Sequence, residues 1–209
     1  MKNLSFIFIL FVSIILFSCS KKDPNQNIEE GSVENNFYTS EEIGWTIEIP
    51  KGWNVVDLNK QKKNNEKGLK MIEESMGSPI NATGLKHLIN FDKNNFNSFN
   101  STSEPFIEEY EGEWEENNSF IKDIIYETFT NQGVKVEVSE IRTEIIDGLE
   151  FKVFTNKLFS PKDEVILTQL MYSRLINGYD FGVNINYNNE KDRDEMLRVF
   201  KASKFKIRN

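Results

Sequence analysis

The chain has 209 residues, of which 33 are acidic and 25 are basic, so its formal net charge at pH 7 is −8. A chain with this charge is repelled by phosphate backbones, which argues against nucleic acid as a partner. Its 38% of hydrophobic residues suffice for one core, and its single cysteine excludes an intrachain disulfide.

The first 18 residues have the layout of a secretory signal. One basic residue, Lys2, precedes an apolar run from Leu4 to Phe17 that is interrupted only by two serines. A helix that spans a bilayer needs about 20 apolar residues, whereas this run is shorter and a polar segment follows it at once. Residues 1–18 are therefore predicted to be a signal peptide rather than a permanent transmembrane helix.

The end of this segment, Leu16-Phe17-Ser18-Cys19, resembles the lipobox of bacterial lipoproteins. The resemblance implies that the thiol of Cys19 receives a diacylglycerol, that the signal is cut before this residue, and that the new N-terminus is acylated. Such a protein is anchored in the bacterial cell envelope, at the outer membrane, and faces the periplasm or the surface. Two or more acyl chains give stable anchoring. The alternative is an unmodified Cys19 in a signal that is removed further along the chain.

Residues 19–36 are predicted to be a disordered tether that begins with the lipidated cysteine. The segment from Ser20 to Asn36 contains only two sizeable aliphatic residues, Ile28 and Val33, among many charged and amide residues. A flexible coil of this length spans roughly 20 to 25 Å. The folded domain is therefore expected to occupy residues 37–209.

Two short strands open the predicted domain. They are Phe37-Tyr38 and Trp45–Ile49, the second of which alternates apolar and polar residues. Gly44 lies between them, and residues 50–52, Pro-Lys-Gly, end the second strand. Trp53 follows this turn and is expected, like Trp45, to belong to the core.

The next segment predicts a helix followed by two strands. Apolar residues recur at spacings of three and four within residues 66–75, and Gly77 ends this helix. Residues 85–91 suggest one strand. Residues 96–106 suggest another, which is crowded with asparagine and serine.

A second helix is predicted from the apolar residues between Phe120 and Phe129, which recur at helical spacing. Residues 117–119, Asn-Asn-Ser, offer N-cap side chains, and Gly133 is the expected C-terminal stop. The acidic run before the helix, residues 108–116, is expected to be a solvated loop.

The last part of the chain predicts an antiparallel meander. Residues 134–145 are expected to form a long strand with a β-bulge where the apolar phase shifts. Asp147-Gly148 and Asn177-Gly178 are two-residue turn signals, the second being the clearer. Residues 165–176 are apolar on both faces, which predicts a central strand covered on both sides. A final helix and a short strand follow.

These elements predict an α+β fold in which an antiparallel β-sheet meander is packed by helices on its faces. Three groups of residues resemble the PsbP-like family, which includes bacterial envelope lipoproteins of the DcrB type. They are Tyr38 with Gly44–Trp53, the Asn177-Gly178-Tyr179 hairpin, and the C-terminal motif Phe200-x-x-Ser203-x-Phe205. The resemblance implies a PsbP-like sandwich over residues 37–208. Its motifs are structural, so it implies no catalytic residue.

The sequence lacks the common motifs of nucleotide-binding, zinc-binding and serine-nucleophile sites. The single histidine, His87, has neither a second histidine nor a free cysteine with which to form a metal site or a catalytic pair. We therefore expect no catalytic residue, no metal site and no cofactor. His87 is expected to be an ordinary packed or surface side chain.

The acidic segment around Trp114 is the candidate site for a protein partner. Glu113 and Glu115 flank this tryptophan inside a run of six glutamates. An exposed tryptophan in such a setting could anchor a partner. The alternatives are that Trp114 covers a loop, and that the glutamates gather a calcium ion, although the spacing of an EF-hand is lacking.

Two functions remain open. The first is a non-enzymatic binding or adaptor module, held at the membrane by the lipid on Cys19, with a protein partner in the envelope. The alternative is a carboxylate-dependent envelope hydrolase. That alternative requires two carboxyl groups that converge in one cleft.

Overall fold

The computed structural model describes residues 23–208. The predicted signal peptide and Cys19 lie outside the described residues. In the described part of the chain, no helix is long and apolar enough to cross a membrane.

Between Asp23 and Arg208 the chain forms two antiparallel sheets and three α-helices. The helices are α1 (Leu58–Met76), α2 (Glu113–Asn131) and α3 (Glu190–Ala202), and a short 3₁₀ helix spans Pro24–Asn27. The strands are β1 (Ser32–Glu34), β2 (Phe37–Ser40), β3 (Trp45–Glu48), β4 (Asn54–Val55), β5 (Lys86–His87), β6 (Phe91–Asn94), β7 (Asn97–Pro105), β8 (Val136–Val138), β9 (Arg142–Ile146), β10 (Leu149–Phe159), β11 (Val165–Ile176), β12 (Tyr179–Tyr187) and β13 (Lys204–Phe205).

The small sheet has the strand order β1-β2-β3-β13, and the large sheet has the order β4-β6-β7-β12-β11-β10-β8. Strand β5 also pairs with β7, and β9 also pairs with β10. The predicted α+β fold with an antiparallel meander is confirmed. The central position predicted for residues 165–176 is also confirmed, because β11 lies between β12 and β10.

Both predicted hairpin turns are confirmed. Asp147 and Gly148 have φ angles of 50° and 78°, and Asn177 and Gly178 have φ angles of 53° and 83°. Positive φ at both central residues is what a type I′ turn requires, and this turn matches the right-handed twist of the flanking strands.

The core lies between one face of the large sheet, the small sheet and α3. Trp45 of β3 is completely buried at its centre, and its ring centroid is 4.9 Å from that of Phe181 on β12. Phe200 of α3 and Phe99 of β7 contact the same indole. Aromatic rings from both sheets and a helix therefore hold these elements together.

The prediction of a disordered tether over residues 20–36 is wrong for the described part of that segment. Val33 lies buried in β1, and Ile28 packs against the core. The side chain of Asn25 donates to the carbonyl of Val33 at 3.1 Å and accepts from its N–H at 2.7 Å. Asn27 is also buried. The two aliphatic residues suffice because asparagine side chains complete the backbone hydrogen bonds of this short segment.

Both long helices begin earlier than predicted. Helix α1 starts at Leu58, where Asp57 caps it by accepting from the N–H of Asn59 at 3.0 Å. Helix α2 starts at Glu113 rather than after residues 117–119. Three of its first four residues are glutamates, which the positive end of the helix dipole favours. The acidic run is thus partly helical, not a loop.

The long strand predicted over residues 134–145 is also wrong in detail. The structure has two strands there, β8 and β9, which pair with different parts of β10. The phase shift in the sequence marks a break between two strands instead of a bulge within one.

Candidate functional site

Trp114 lies against the large sheet and not on an exposed loop. Its side chain is only 6% exposed, and its indole Nε1 donates a 2.9 Å hydrogen bond to Oδ1 of Asp180 on β12. The prediction of an exposed tryptophan is therefore wrong. Glu113 is half-buried and accepts from the N–H of Glu109, whereas Glu115 is exposed. The structure does not join these glutamates and the indole into one surface, so their partner-binding role stays a prediction.

A polar cleft lies between the second face of the large sheet and helices α1 and α2. Its volume is about 720 Å³, within the range typical of small-molecule sites. Helix α1 contributes Asn64 and Asn65, and helix α2 contributes Asn118 and Ile121. The floor comes from β7, β12 and β11.

The floor consists of the side chains that alternate with the core-facing residues of β7 and β12. Successive residues of a strand point to opposite faces, so one face of these strands builds the core and the other builds the cleft. The strand register pairs the cleft-facing residues as Ser98 with Asn186, Asn100 with Asn184, Thr102 with Gly182, and Glu104 with Asp180.

Side-chain amides form a hydrogen-bonded chain across this floor. Nε2 of Gln169 donates to Oδ1 of Asn186 at 2.9 Å, and Nδ2 of Asn186 donates to Oγ of Ser98 at 3.1 Å. Nδ2 of Asn100 donates to the same hydroxyl oxygen at 3.2 Å. Asn184, in the middle of the floor, differs because its Oδ1 is buried and has no hydrogen-bond partner within residues 23–208.

Buried polar side chains also attach the two helices to the sheet. Gln61 of α1 donates to the carbonyl of Val56 at 2.8 Å and accepts from Nδ2 of Asn90 at 2.8 Å. On α2, Oδ1 of Asn118 accepts from the hydroxyl of Ser173 on β11. These hydrogen bonds fix the walls of the cleft relative to its floor.

Two carboxyl groups meet at one end of the cleft. Glu104 and Asp180 are cross-strand partners, and such pairs have Cβ atoms about 4.5–5.5 Å apart. Burial raises the pKa of Asp180, and the indole hydrogen bond from Trp114 opposes part of this effect. Burial and the neighbouring charge of Asp180 both raise the pKa of Glu104. The pair supplies the two carboxyls in one cleft that a carboxylate-dependent hydrolase requires.

The cleft has no cationic lining. Among the described residues, neither lysine nor arginine contributes to it. His87 lies at its edge, where the backbone N–H donates to Oε2 of Glu29 at 2.8 Å and burial lowers the pKa of the imidazole. No group of three or more acidic, histidine or cysteine side chains in residues 23–208 is placed to hold a metal ion.

Sequence reasoning missed the cleft, although a signal for it was present. The alternate positions of β7 and β12 carry asparagine, serine, threonine and glycine where a solvated face usually carries lysine and glutamate. The helices that cover this face could not be seen in the two strands themselves.

Comparisons with known proteins give a fold but no family. No family model matches the chain, and no curated protein matches it. The structure is similar to the solution structure of cyanobacterial PsbP (CyanoP) from Synechocystis sp. PCC 6803, with a TM-score of 0.54 and 12% sequence identity. The match covers 84% of this chain and 98% of that chain. The chain therefore has a PsbP-like α+β fold, and at this identity the likeness shows the fold alone.

Proposed function

We propose that the chain is a lipid-anchored, non-enzymatic binding module of the bacterial cell envelope, and that the polar cleft holds its ligand. The observation that carries this proposal is the cleft itself, about 720 Å³ in volume and lined by amide and hydroxyl groups together with apolar side chains such as Ile121 and Met171. Burying polar groups costs free energy unless they are hydrogen-bonded. Several amides of this face bond one another, whereas Oδ1 of Asn184 has no partner within residues 23–208, so the face is suited to a ligand that adds hydrogen bonds there.

Anchoring is supported by the lipobox-like residues that end at Cys19. Because the 3₁₀ helix Pro24–Asn27 and strand β1 belong to the folded part, the link from the anchor is shorter than the predicted tether. Four residues span at most about 14 Å when fully extended. The proposed anchor therefore holds the domain close to the membrane surface, with little freedom to reach a distant partner.

The anchoring half of the proposal is tested by mass spectrometry of the protein purified from bacterial membranes. We expect the mature chain to start at Cys19 and to carry acyl groups, and we expect it to enter the detergent phase on phase separation. The Cys19→Ser variant should carry no acyl group at residue 19. A wild-type chain with another N-terminus, or with an unmodified sulfur, contradicts this half.

The binding half is tested by photo-cross-linking in the native envelope. A photoreactive amino acid replaces Asn65, which lies half-buried at the rim of the cleft on α1. The matched control places the same group at Lys51, an exposed residue outside the cleft. A small-molecule adduct is expected at position 65 and not at position 51. Adducts at both positions, or at neither, contradict the use of the cleft.

The alternative, a carboxylate-dependent envelope hydrolase, is favoured by one specific observation, the pairing of Glu104 with Asp180 in the cleft. Carboxyl groups about 5–5.5 Å apart serve as acid and nucleophile in retaining glycosidases. Incubation of the captured ligand with the purified protein tests this alternative by mass spectrometry. Cleavage that is abolished in the Glu104→Gln variant supports the hydrolase, whereas an unchanged ligand supports the binding module.

A further inference from the structure

We propose that the ligand of the cleft is a short neutral oligosaccharide, bound through the amide and hydroxyl groups of Ser98, Asn100, Asn184 and Asn186. This inference rests on the proposed binding function and names the chemical class of the ligand.

The charges around the cleft exclude an anionic ligand. The chain has 25 lysine and arginine residues, yet none in residues 23–208 lines the cleft. A buried phosphate or carboxylate would lie there without a cationic partner and close to Glu104 and Asp180, which is strongly unfavourable. The two carboxyls lie at one end only. The rest of the floor is uncharged and matches an uncharged ligand.

The hydrogen-bonding groups of the floor match hydroxyl groups. A primary amide presents two N–H donors and one carbonyl acceptor, and a sugar hydroxyl both donates and accepts. Neighbouring amides on paired strands can therefore engage neighbouring hydroxyls of one ring. Oδ1 of Asn184 is a buried acceptor without a donor within the described chain, and a rotation of this amide towards the cleft would let a sugar hydroxyl supply that donor.

The floor also leaves space for a ring beside Asn184. Gly182 is the next cleft-facing residue of β12 and has no side chain, so the floor is lowest there, although a Cβ at this position would lie 3.2 Å from Oγ1 of its cross-strand partner Thr102. On the opposite wall, Ile121 of α2 presents an apolar surface suited to the C–H face of a sugar ring. A cleft of this volume accommodates a drug-sized ligand, which corresponds to roughly two or three sugar rings.

The test is isothermal titration of the full-length protein in a detergent without a sugar head group. The neutral probes are chitotriose, maltotriose and cellotriose, with spermidine as the cationic probe and glucose 6-phosphate as the anionic probe. We expect at least one neutral trisaccharide to bind with one-to-one stoichiometry. We expect glucose 6-phosphate not to bind.

Two cleft variants and one matched control locate the binding. Asn184→Leu removes the unpaired acceptor, and Gly182→Val fills the space beside it with a residue that strands accept. Each should weaken trisaccharide binding at least tenfold. Asn54→Leu, at an exposed asparagine outside the cleft, should leave binding unchanged. Circular dichroism identifies the variants that are folded, and only these are compared.

Failure of this inference is distinguishable from failure of the proposed function. If no neutral trisaccharide binds, or if binding is unchanged in the folded cleft variants, the oligosaccharide is ruled out. Spermidine binding that depends on Asn184 also overturns the ligand class, but it leaves the cleft as a binding site. If no probe binds and no adduct forms at Asn65, both the inference and the proposed function fail.

Discussion

Replacement of Trp114 by phenylalanine should destabilise the protein in a way that depends on pH. The indole Nε1 of Trp114 donates to Oδ1 of Asp180 at 2.9 Å, and this hydrogen bond joins α2 to β12. Phenylalanine keeps an aromatic ring but has no N–H group. The variant therefore leaves the carboxylate of Asp180 largely buried and without this donor, beside the second carboxyl of Glu104.

The magnitude follows from the charge of the acceptor. A hydrogen bond to an ionised group contributes about 1.5–3 kcal/mol, whereas a neutral one contributes about 0.5–1.5 kcal/mol. Burial raises the folded-state pKa of Asp180. The contribution of Asp180 to the free energy of unfolding is therefore fully present below the unfolded-state pKa, and it is lost as the pH rises through the folded-state pKa. Removal of the indole raises the folded-state pKa further and enlarges that loss.

Urea unfolding followed by circular dichroism measures the effect at pH 4 and at pH 8. We expect loss of the hydrogen bond to lower the free energy of unfolding of the Trp114→Phe variant by about 1.5–3 kcal/mol at pH 8 and by less at pH 4. A packing loss that is independent of pH adds to both values. In the Asp180→Asn background the cost of Trp114→Phe should be independent of pH and smaller than in the wild-type background at pH 8, because the amide is a neutral acceptor. An equal cost at both pH values, or an equal cost in both backgrounds, would refute this reasoning.

Two further predictions concern the backbone and an ion pair. Gly52→Ala, at φ +82° with open space around it, should cost only the backbone strain of about 1–2 kcal/mol in urea unfolding. Gly44→Ala should cost more than Gly52→Ala, because a clash between the added Cβ and the carbonyl oxygen of Lys206 adds to the strain at φ +73°. Equal costs would contradict the role of this contact. Lys93→Ala should cost about 1 kcal/mol at pH 7, because Nζ lies 2.7 Å from Oδ1 of Asp192. Burial opposes ionisation of Asp192, but hydrogen bonds, of which that from Lys93 is the largest, lower its pKa overall. The cost of Lys93→Ala should therefore vanish as the pH falls through that lowered pKa. A cost that persists in acid would contradict this assignment.

The parts of the fold that local chemistry determines could be predicted from the sequence. Asp147-Gly148 and Asn177-Gly178 specify their hairpins because residues that tolerate positive φ are needed at both central positions. The apolar character of residues 165–176 on both faces indicated a central strand. Its second face nevertheless borders the polar cleft through Gln169 and Ser173, and Val165 at its start is exposed.

The wrong predictions concern residues whose structure depends on contacts with distant parts of the chain. Residues 24–34 look disordered alone, but β1 gains a partner in β2 and the asparagines near it gain backbone groups to bind. Trp114 looks like an exposed residue among glutamates, but its acceptor, Asp180, lies 66 residues further along the chain. Periodicity within a segment contains no information about such partners.

The cleft shows which kind of long-range information was missing. Most cleft-facing residues of β7 and β12 were visible in the sequence as uncharged amides and hydroxyls, which alternate with apolar residues on β12 and with serine, asparagine and Phe99 on β7. Hydrated faces favour charged side chains, whereas a face covered by helices can keep amides, because amides cost less to desolvate than ions and still form hydrogen bonds. Alternation of this kind on one strand is ambiguous. Only the pairing of β7 with β12, between residues about eighty positions apart, places Asn100 beside Asn184 and Glu104 beside Asp180. Strand order therefore determines whether such residues form a polar surface or a binding site.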